Sequence, residues 1–210
     1  MHLQNPIPDW PTALVQMPDG ALLKAVNDPG ILQDGKLKWA QAGRSPDQLH
    51  TDFRFFNLQP APLSDWESAK AWWRTMFFRF IDATYLRNYA AYGDSVETCN
   101  EYFANSTWQD PLDAKRCIQS AQAEAAVWAT EFRGRMVHSP DGGEGLIPPT
   151  CRLVVGNGPV SNTTPREYFQ MALDTDSIVG LHPYTLWVNA HRAPDDWANH
   201  SGLWAREEAQ

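Results

Sequence analysis

The residues best suited to chemistry are Asn100 and Glu101, which lie in a short run of apolar and β-prone residues, Val96–Phe103. A loop rich in Asn, Ser, Asp and Pro follows over 105–111, and a helical pattern begins after it. This order predicts a carboxylate at the carboxyl end of a strand, where parallel α/β proteins place their reactive groups. Glu101 lies between the predicted apolar strand and the aromatic residues Tyr102 and Phe103, a setting that favours a raised pKa and suits a general acid and base.

Other polar residues at or inside predicted strands are candidates for contact with a substrate: Arg54, Asn157, His182 and Tyr184. Arg54 either orients a carboxylate through paired hydrogen bonds or acts as a buried counter-ion. His182 and Tyr184 either line a site or belong to the core. Glu97 shares the strand parity of Glu101, and we expect it to form a structural ion pair with Lys24 or Arg54.

Several kinds of site lack support in the sequence. The histidines show no metal-site spacing, and no Gly-x-Ser-x-Gly segment supplies a serine nucleophile. We therefore expect neither a metal nor a cofactor. Cys99, Cys117 and Cys151 have no C-x-x-C spacing, and we expect them to be small buried residues.

Strands are needed to position these side chains. Short apolar runs bounded by turn residues predict six of them, over 1–4, 21–26, 52–56, 96–100, 152–155 and 178–181. Because these runs are apolar throughout and alternate with helical patterns, they predict a parallel sheet covered by helices. None is followed by a glycine-rich phosphate-binding motif, since Gly156-Asn-Gly-Pro matches no such pattern. A barrel is therefore favoured over a nucleotide-binding sheet.

The helical patterns between the strands are long and amphipathic. They predict helices over 10–17, 31–42, 64–89, 113–135 and 164–173, the third of them capped by Ser64 with Glu67 three residues later. The glycine-rich segment 141–145 is predicted to be a loop.

Composition limits the partners. The net charge of -8 and the pI near 5.1 argue against a nucleic-acid partner, which needs Lys and Arg against its phosphates. No apolar run approaches the roughly 18 residues of a membrane span, so we expect no membrane partner. No signal peptide is visible, and the localisation is left open between cytoplasm and secretion. The ten tryptophans suit either sugar rings or a core, and we expect about two-thirds in the core.

The Asn100-Glu101 pair at the end of the fourth predicted strand and His182-Pro-Tyr184 at the end of the sixth resemble clan A of the retaining glycoside hydrolases, which are (β/α)₈ TIM barrels. This resemblance implies that Glu101 is the general acid/base and that Asn100 contacts the sugar 2-hydroxyl. It also implies that His182 and Tyr184 line the sugar site, with Asn157 and Arg54 as weaker parallels. The implied substrate is an oligo- or polysaccharide.

The sequence departs from that clan in one respect. The clan's nucleophile is a Glu that ends strand seven, and no late carboxylate here follows a strand-like run. A full barrel has about 250 residues, so we expect residues 1–210 to be one incomplete barrel domain of about six β/α units. Alone it should be nearly inactive and should self-associate through its open edge. The alternative is a carbohydrate-binding protein without hydrolytic activity.

Overall fold

The computed structural model describes residues 1–3, 8–55, 65–98, 110–159 and 166–182. The chain divides into two compact units. The first comprises Met1–Leu58, Arg74–Thr98 and Val127–Leu153, and the second comprises Gln59–Trp73, Cys99–Ala126 and Val154–Gln210. Asn100, Glu101 and Tyr184 lie outside the described residues.

A parallel four-stranded sheet forms the centre of the first unit. Its strands follow one another in chain order: β1 (His2–Leu3), β2 (Ala21–Val26), β3 (Leu49–Arg54) and β4 (Ser95–Glu97). The mixed α/β class and the parallel sheet predicted from the sequence are confirmed. The predicted range of the second strand is also confirmed, because turn residues bound its apolar run on both sides.

Helices α1 (Trp10–Val15) and α2 (Gly30–Gln41) belong to the first unit, where α2 packs on β2 and β3. The close approach depends on Gly35, since a Cβ at that position would overlap the Leu23 Cδ2 methyl group. Leu23 and Leu32 are fully buried. This packing identifies the sheet face that carries Leu23 as the helix-covered face.

The helix predicted over 64–89 is two helices, so that prediction is wrong in its extent. Helix α3 (Trp66–Phe80) ends before Asp82, and α4 (Ala83–Asn88) begins after it. The Asp82 carboxylate accepts a hydrogen bond from the Tyr85 backbone N–H and caps the new helix. Tyr85 of α4 then stacks on Phe53 of β3, with ring centroids 5.5 Å apart.

The segment predicted as a loop around 141–145 is instead part of a β-hairpin. Strands β5 (Met136–His138) and β6 (Glu144–Leu146) pair antiparallel. Gly142 takes the left-handed conformation that the turn requires, with φ of 82°. The glycines mark the turn in the sequence, but the three-residue strands beside it are too short to show an alternating pattern.

The second unit contains most of α5 (Pro111–Val127) and of β7 (Arg152–Pro159), together with α6 (Arg166–Asp174) and β8 (Ile178–His182). Strands β7 and β8 pair in parallel, as predicted, with an irregularity between Val155 and Gly158. The predicted helix over 113–135 ends earlier as α5, and a single π-turn over Trp128–Phe132 follows. The indole N–H of Trp73 donates to the Ser120 carbonyl at 3.0 Å within this unit.

The core of the described residues is rich in aromatic side chains. Of the six tryptophans in the described ranges, four are buried: Trp10, Trp39, Trp73 and Trp128. Cys117 and Cys151 are buried free thiols, which confirms the prediction for both, while Cys99 lies outside the described residues. In the same ranges, no helix has the length and apolar character to cross a membrane.

Candidate functional site

Strand register gathers four charged side chains on the sheet face opposite Leu23. Lys24 of β2 lies beside Asp52 of β3, and Arg54 of β3 lies beside Glu97 of β4. Side chains alternate between faces along a strand, so all four project from the same face. We call these residues the charge cluster.

Glu97 is the centre of the charge cluster. Its Oε2 accepts a hydrogen bond from the Lys24 ammonium, and its Oε1 lies 3.4 Å from Arg54 Nε. Lys24 Nζ also lies 3.7 Å from Asp52 Oδ2. The Ser95 hydroxyl donates to Asp52 Oδ1 at 2.7 Å and holds that second carboxylate in place.

The charge cluster is largely withdrawn from water. The Glu97 side chain is 1% exposed, and that of Lys24 is 16% exposed. Arg54 Nε and Glu97 Oε1 are both buried, and neither has a hydrogen-bond partner among the described residues. The two atoms form an ion pair, but its geometry does not make a hydrogen bond between them.

Burial raises the pKa of Glu97 from 4.5 to about 7. The Lys24 ammonium opposes this by favouring the charged carboxylate, and the negative charge of Asp52 adds to it. The two cations balance the two carboxylates when all four are ionised, and protonation of Glu97 leaves one net positive charge. A carboxyl group that changes charge near neutral pH can accept and release protons in catalysis.

The structure brings together three of the residues named from the sequence, Lys24, Arg54 and Glu97. The prediction that Glu97 pairs with Lys24 or Arg54 is confirmed, because it contacts both. This contact places Arg54 as a buried counter-ion. The sequence reasoning missed Asp52 and Ser95, which the alternation of polar residues at 52, 54, 95 and 97 could have indicated.

The remaining predicted site residues lie in the second unit or outside the described residues. Asn157 lies inside β7 rather than after it, because that strand continues to Pro159, so its predicted place at a strand end is wrong. The strand continues past Val155 through the irregularity in its pairing. His182 is the last residue of β8, in register with Pro159. Asn100, Glu101 and Tyr184 are not described and keep their predicted roles as predictions.

Within the described part of the chain, no group of three or more His, Cys, Asp and Glu side chains is placed to hold a metal ion. Comparison with protein-family models, with curated proteins and with solved structures finds no match to this chain. The geometry of the site is therefore the basis for a functional proposal.

Proposed function

We propose that this chain is a glycoside hydrolase of the (β/α)₈-barrel type that acts by the retaining, two-carboxylate mechanism on O-glycosidic bonds. Glu101 is the general acid/base, and Asn100 contacts the sugar 2-hydroxyl. The observation that carries the proposal is the order of the parallel strands. Each lies beside the one before it, and the fourth, β4, ends at Glu97, with Asn100 three residues later in the sequence.

Strand order supports a barrel over a doubly wound sheet. In a doubly wound sheet the order reverses at a switch point, and helices cover both faces. Here β1 to β4 are sequential, and both α2 and Tyr85 of α4 pack on the face that carries Leu23 and Phe53. The opposite face is nevertheless buried at Asp52, Arg54 and Glu97. Helices on one face of the sheet and buried side chains on the other are what a closed barrel has, with the helices outside and the buried face inside.

The chemistry requires a carboxyl group that is protonated near neutral pH. It donates a proton to the leaving oxygen, and its carboxylate later removes a proton from the attacking water. A second carboxylate about 5 Å away attacks the anomeric carbon. Glu97, the last residue of β4, shows that burial in this sheet raises a carboxyl pKa to about 7.

Hydrolysis of aryl glycosides by the full chain and by its Glu101→Ala variant tests the proposal. Because no nucleophilic carboxylate is identified and residues 1–210 alone should be nearly inactive, azide is supplied as an external nucleophile, and the rates of the two proteins are compared in its presence and in its absence. Loss of the acid should slow the cleavage of 4-nitrophenyl glycosides by about 10²–10⁴-fold. It should slow 2,4-dinitrophenyl glycosides much less, because that leaving group needs little protonation.

Glu67→Gln is the matched control, since this glutamate on α3 has a side chain that is 77% exposed. It should leave both rates unchanged. Equal rates for wild type and Glu101→Ala on the 4-nitrophenyl substrates, in both assay conditions, would contradict the assignment of Glu101.

A further inference from the structure

A second feature of the first unit lies on the sheet face away from the charge cluster. It is a pocket of about 250 Å³ at the carboxyl ends of β2 and β3. Its lining residues are Asn27, Pro29, Phe53, Phe55, Phe80, Asp82, Thr84, Tyr85 and Tyr89. Asn27 directly follows β2 and Phe55 directly follows β3. In open and closed α/β sheets alike, this edge is where ligands bind.

The deep part of the pocket is aromatic. Phe53, Phe55 and Tyr85 are buried, and their ring centroids lie 4.7 to 6.0 Å apart. Burial raises the pKa of Tyr85 well above its ordinary value, so its phenol stays neutral. Phe80 and Tyr89 are half-buried at the rim. The walls therefore offer flat apolar surfaces with no charge of their own.

The polar side chains at the rim are an amide, a hydroxyl and a carboxylate. Asn27 holds a left-handed backbone conformation, with φ of 68°, and its backbone N–H donates to the Arg54 carbonyl, which fixes the turn after β2. Asp82 Oδ1 caps α4, and Oδ2 accepts no hydrogen bond from the described residues. Thr84 is exposed beside it. This set contains both donors and acceptors.

We propose that the pocket binds one neutral pyranose ring. Such a ring has an apolar C–H face for the aromatic walls and edge hydroxyls that donate and accept. No Lys, Arg or His lines the pocket, so an anionic ligand has no counter-charge. Its volume is below the roughly 300–1,000 Å³ of sites for drug-sized ligands, which favours a single ring.

The proposal rests on the pocket's own chemistry and stands without hydrolysis by Glu101. Binding of the methyl glycosides of glucose, galactose, mannose and xylose to the full chain is measured by saturation-transfer NMR. The variants are Tyr89→Ala, which removes a rim ring, and Tyr89→Phe, which keeps it. Thr84→Val removes an exposed hydroxyl at little risk to folding, and thermal melting checks each variant.

At least one pyranoside should bind, with saturation strongest at its C–H face. Tyr89→Ala should weaken that binding about tenfold or more, Tyr89→Phe should leave it within about threefold, and Thr84→Val should weaken it measurably. Unchanged affinity in both Tyr89→Ala and Thr84→Val would overturn the proposal, as would the failure of every pyranoside to bind.

Three further outcomes are decisive. Tetramethylammonium and phenol serve as competing probes. If either binds more tightly than every pyranoside, and if this binding weakens in Tyr89→Ala, the pocket is instead a site for a cation or an aromatic ligand. Sugar binding that is lost in Glu101→Ala and kept in Tyr89→Ala would reject the pocket while supporting the proposed hydrolase site. Binding that survives Glu101→Ala and depends on Tyr89 supports the pocket alone.

Discussion

Replacement of Glu97 by Gln should remove a pH-dependent loss of stability. The folded protein raises the pKa of this carboxyl from 4.5 to about 7, so folding favours its protonated form. Each unit of pKa corresponds to about 1.36 kcal/mol, which gives a total of about 3 kcal/mol. This contribution of the Glu97 carboxyl to the free energy of unfolding is fully present below about pH 4.5 and is lost as the pH rises through about 7.

About 2.5 kcal/mol of that loss falls between about pH 5 and about pH 8. The assay is urea denaturation of wild type and Glu97→Gln at both pH values, with the difference between the proteins compared across pH. Gln has the shape of the protonated acid, so the two should be similarly stable at the lower pH. At the higher pH, wild type should have lost about 2.5 kcal/mol more than the variant.

The other titratable groups contribute to the pH dependence of the unfolding free energy in both proteins, so their contribution cancels in the difference between wild type and Glu97→Gln. Glu67→Gln, an exposed control, should follow the wild-type curve. Equal losses for wild type and Glu97→Gln would refute the argument, because burial of this carboxyl would then not control its protonation. A variant that is less stable than wild type only at the higher pH would show that the Lys24 pair outweighs burial.

Two further predictions concern packing and thiol chemistry. Gly35→Ala should cost about 1–3 kcal/mol, because the added methyl overlaps Leu23 Cδ2, and urea denaturation should show the loss. Adding Leu23→Val should cost less in that background than in wild type, and additive costs would contradict the overlap. Burial raises the pKa of the Cys117 thiol to about 12 and that of Cys151 still higher, so both should resist iodoacetamide at about pH 8 until the protein unfolds. Mass spectrometry of the labelled peptides measures this, and rapid labelling of either thiol in the folded protein would contradict the burial.

The charge cluster could be anticipated only in part from the sequence. A glutamate in an otherwise apolar strand, with Lys24 and Arg54 in two other strands, is enough to predict an ion pair, because a buried carboxylate needs a cation. The inclusion of Asp52 and Ser95 depended on register. Register decides which residues of β2, β3 and β4 lie side by side, and the register cannot be predicted from the sequence of each strand alone.

The errors in the element predictions have local causes. Apolar periodicity continued across Asp82, so one helix was predicted where the structure has α3 and α4. The helix is interrupted because Asp82 caps α4 and Tyr85 stacks on Phe53. Both contacts form only when the chain changes direction between α3 and α4. The β5–β6 hairpin was missed because it packs through Gly143 and Gly145 against Ala83 and Leu86. That packing is a long-range contact.

The sequence by itself determined the α/β class, the parallel direction of the strands and the position of β2, because apolar runs, turn residues and helical periodicity are local signals. The predicted place of Asn100 and Glu101 at the end of the fourth strand lies outside the described residues and stays a prediction. Only the tertiary structure decided that Lys24, Asp52, Arg54 and Glu97 share one buried face, and that aromatic residues from β3, α3 and α4 enclose a pocket on the other. Both arrangements join residues far apart in the chain, and their geometry follows from strand register and helix packing.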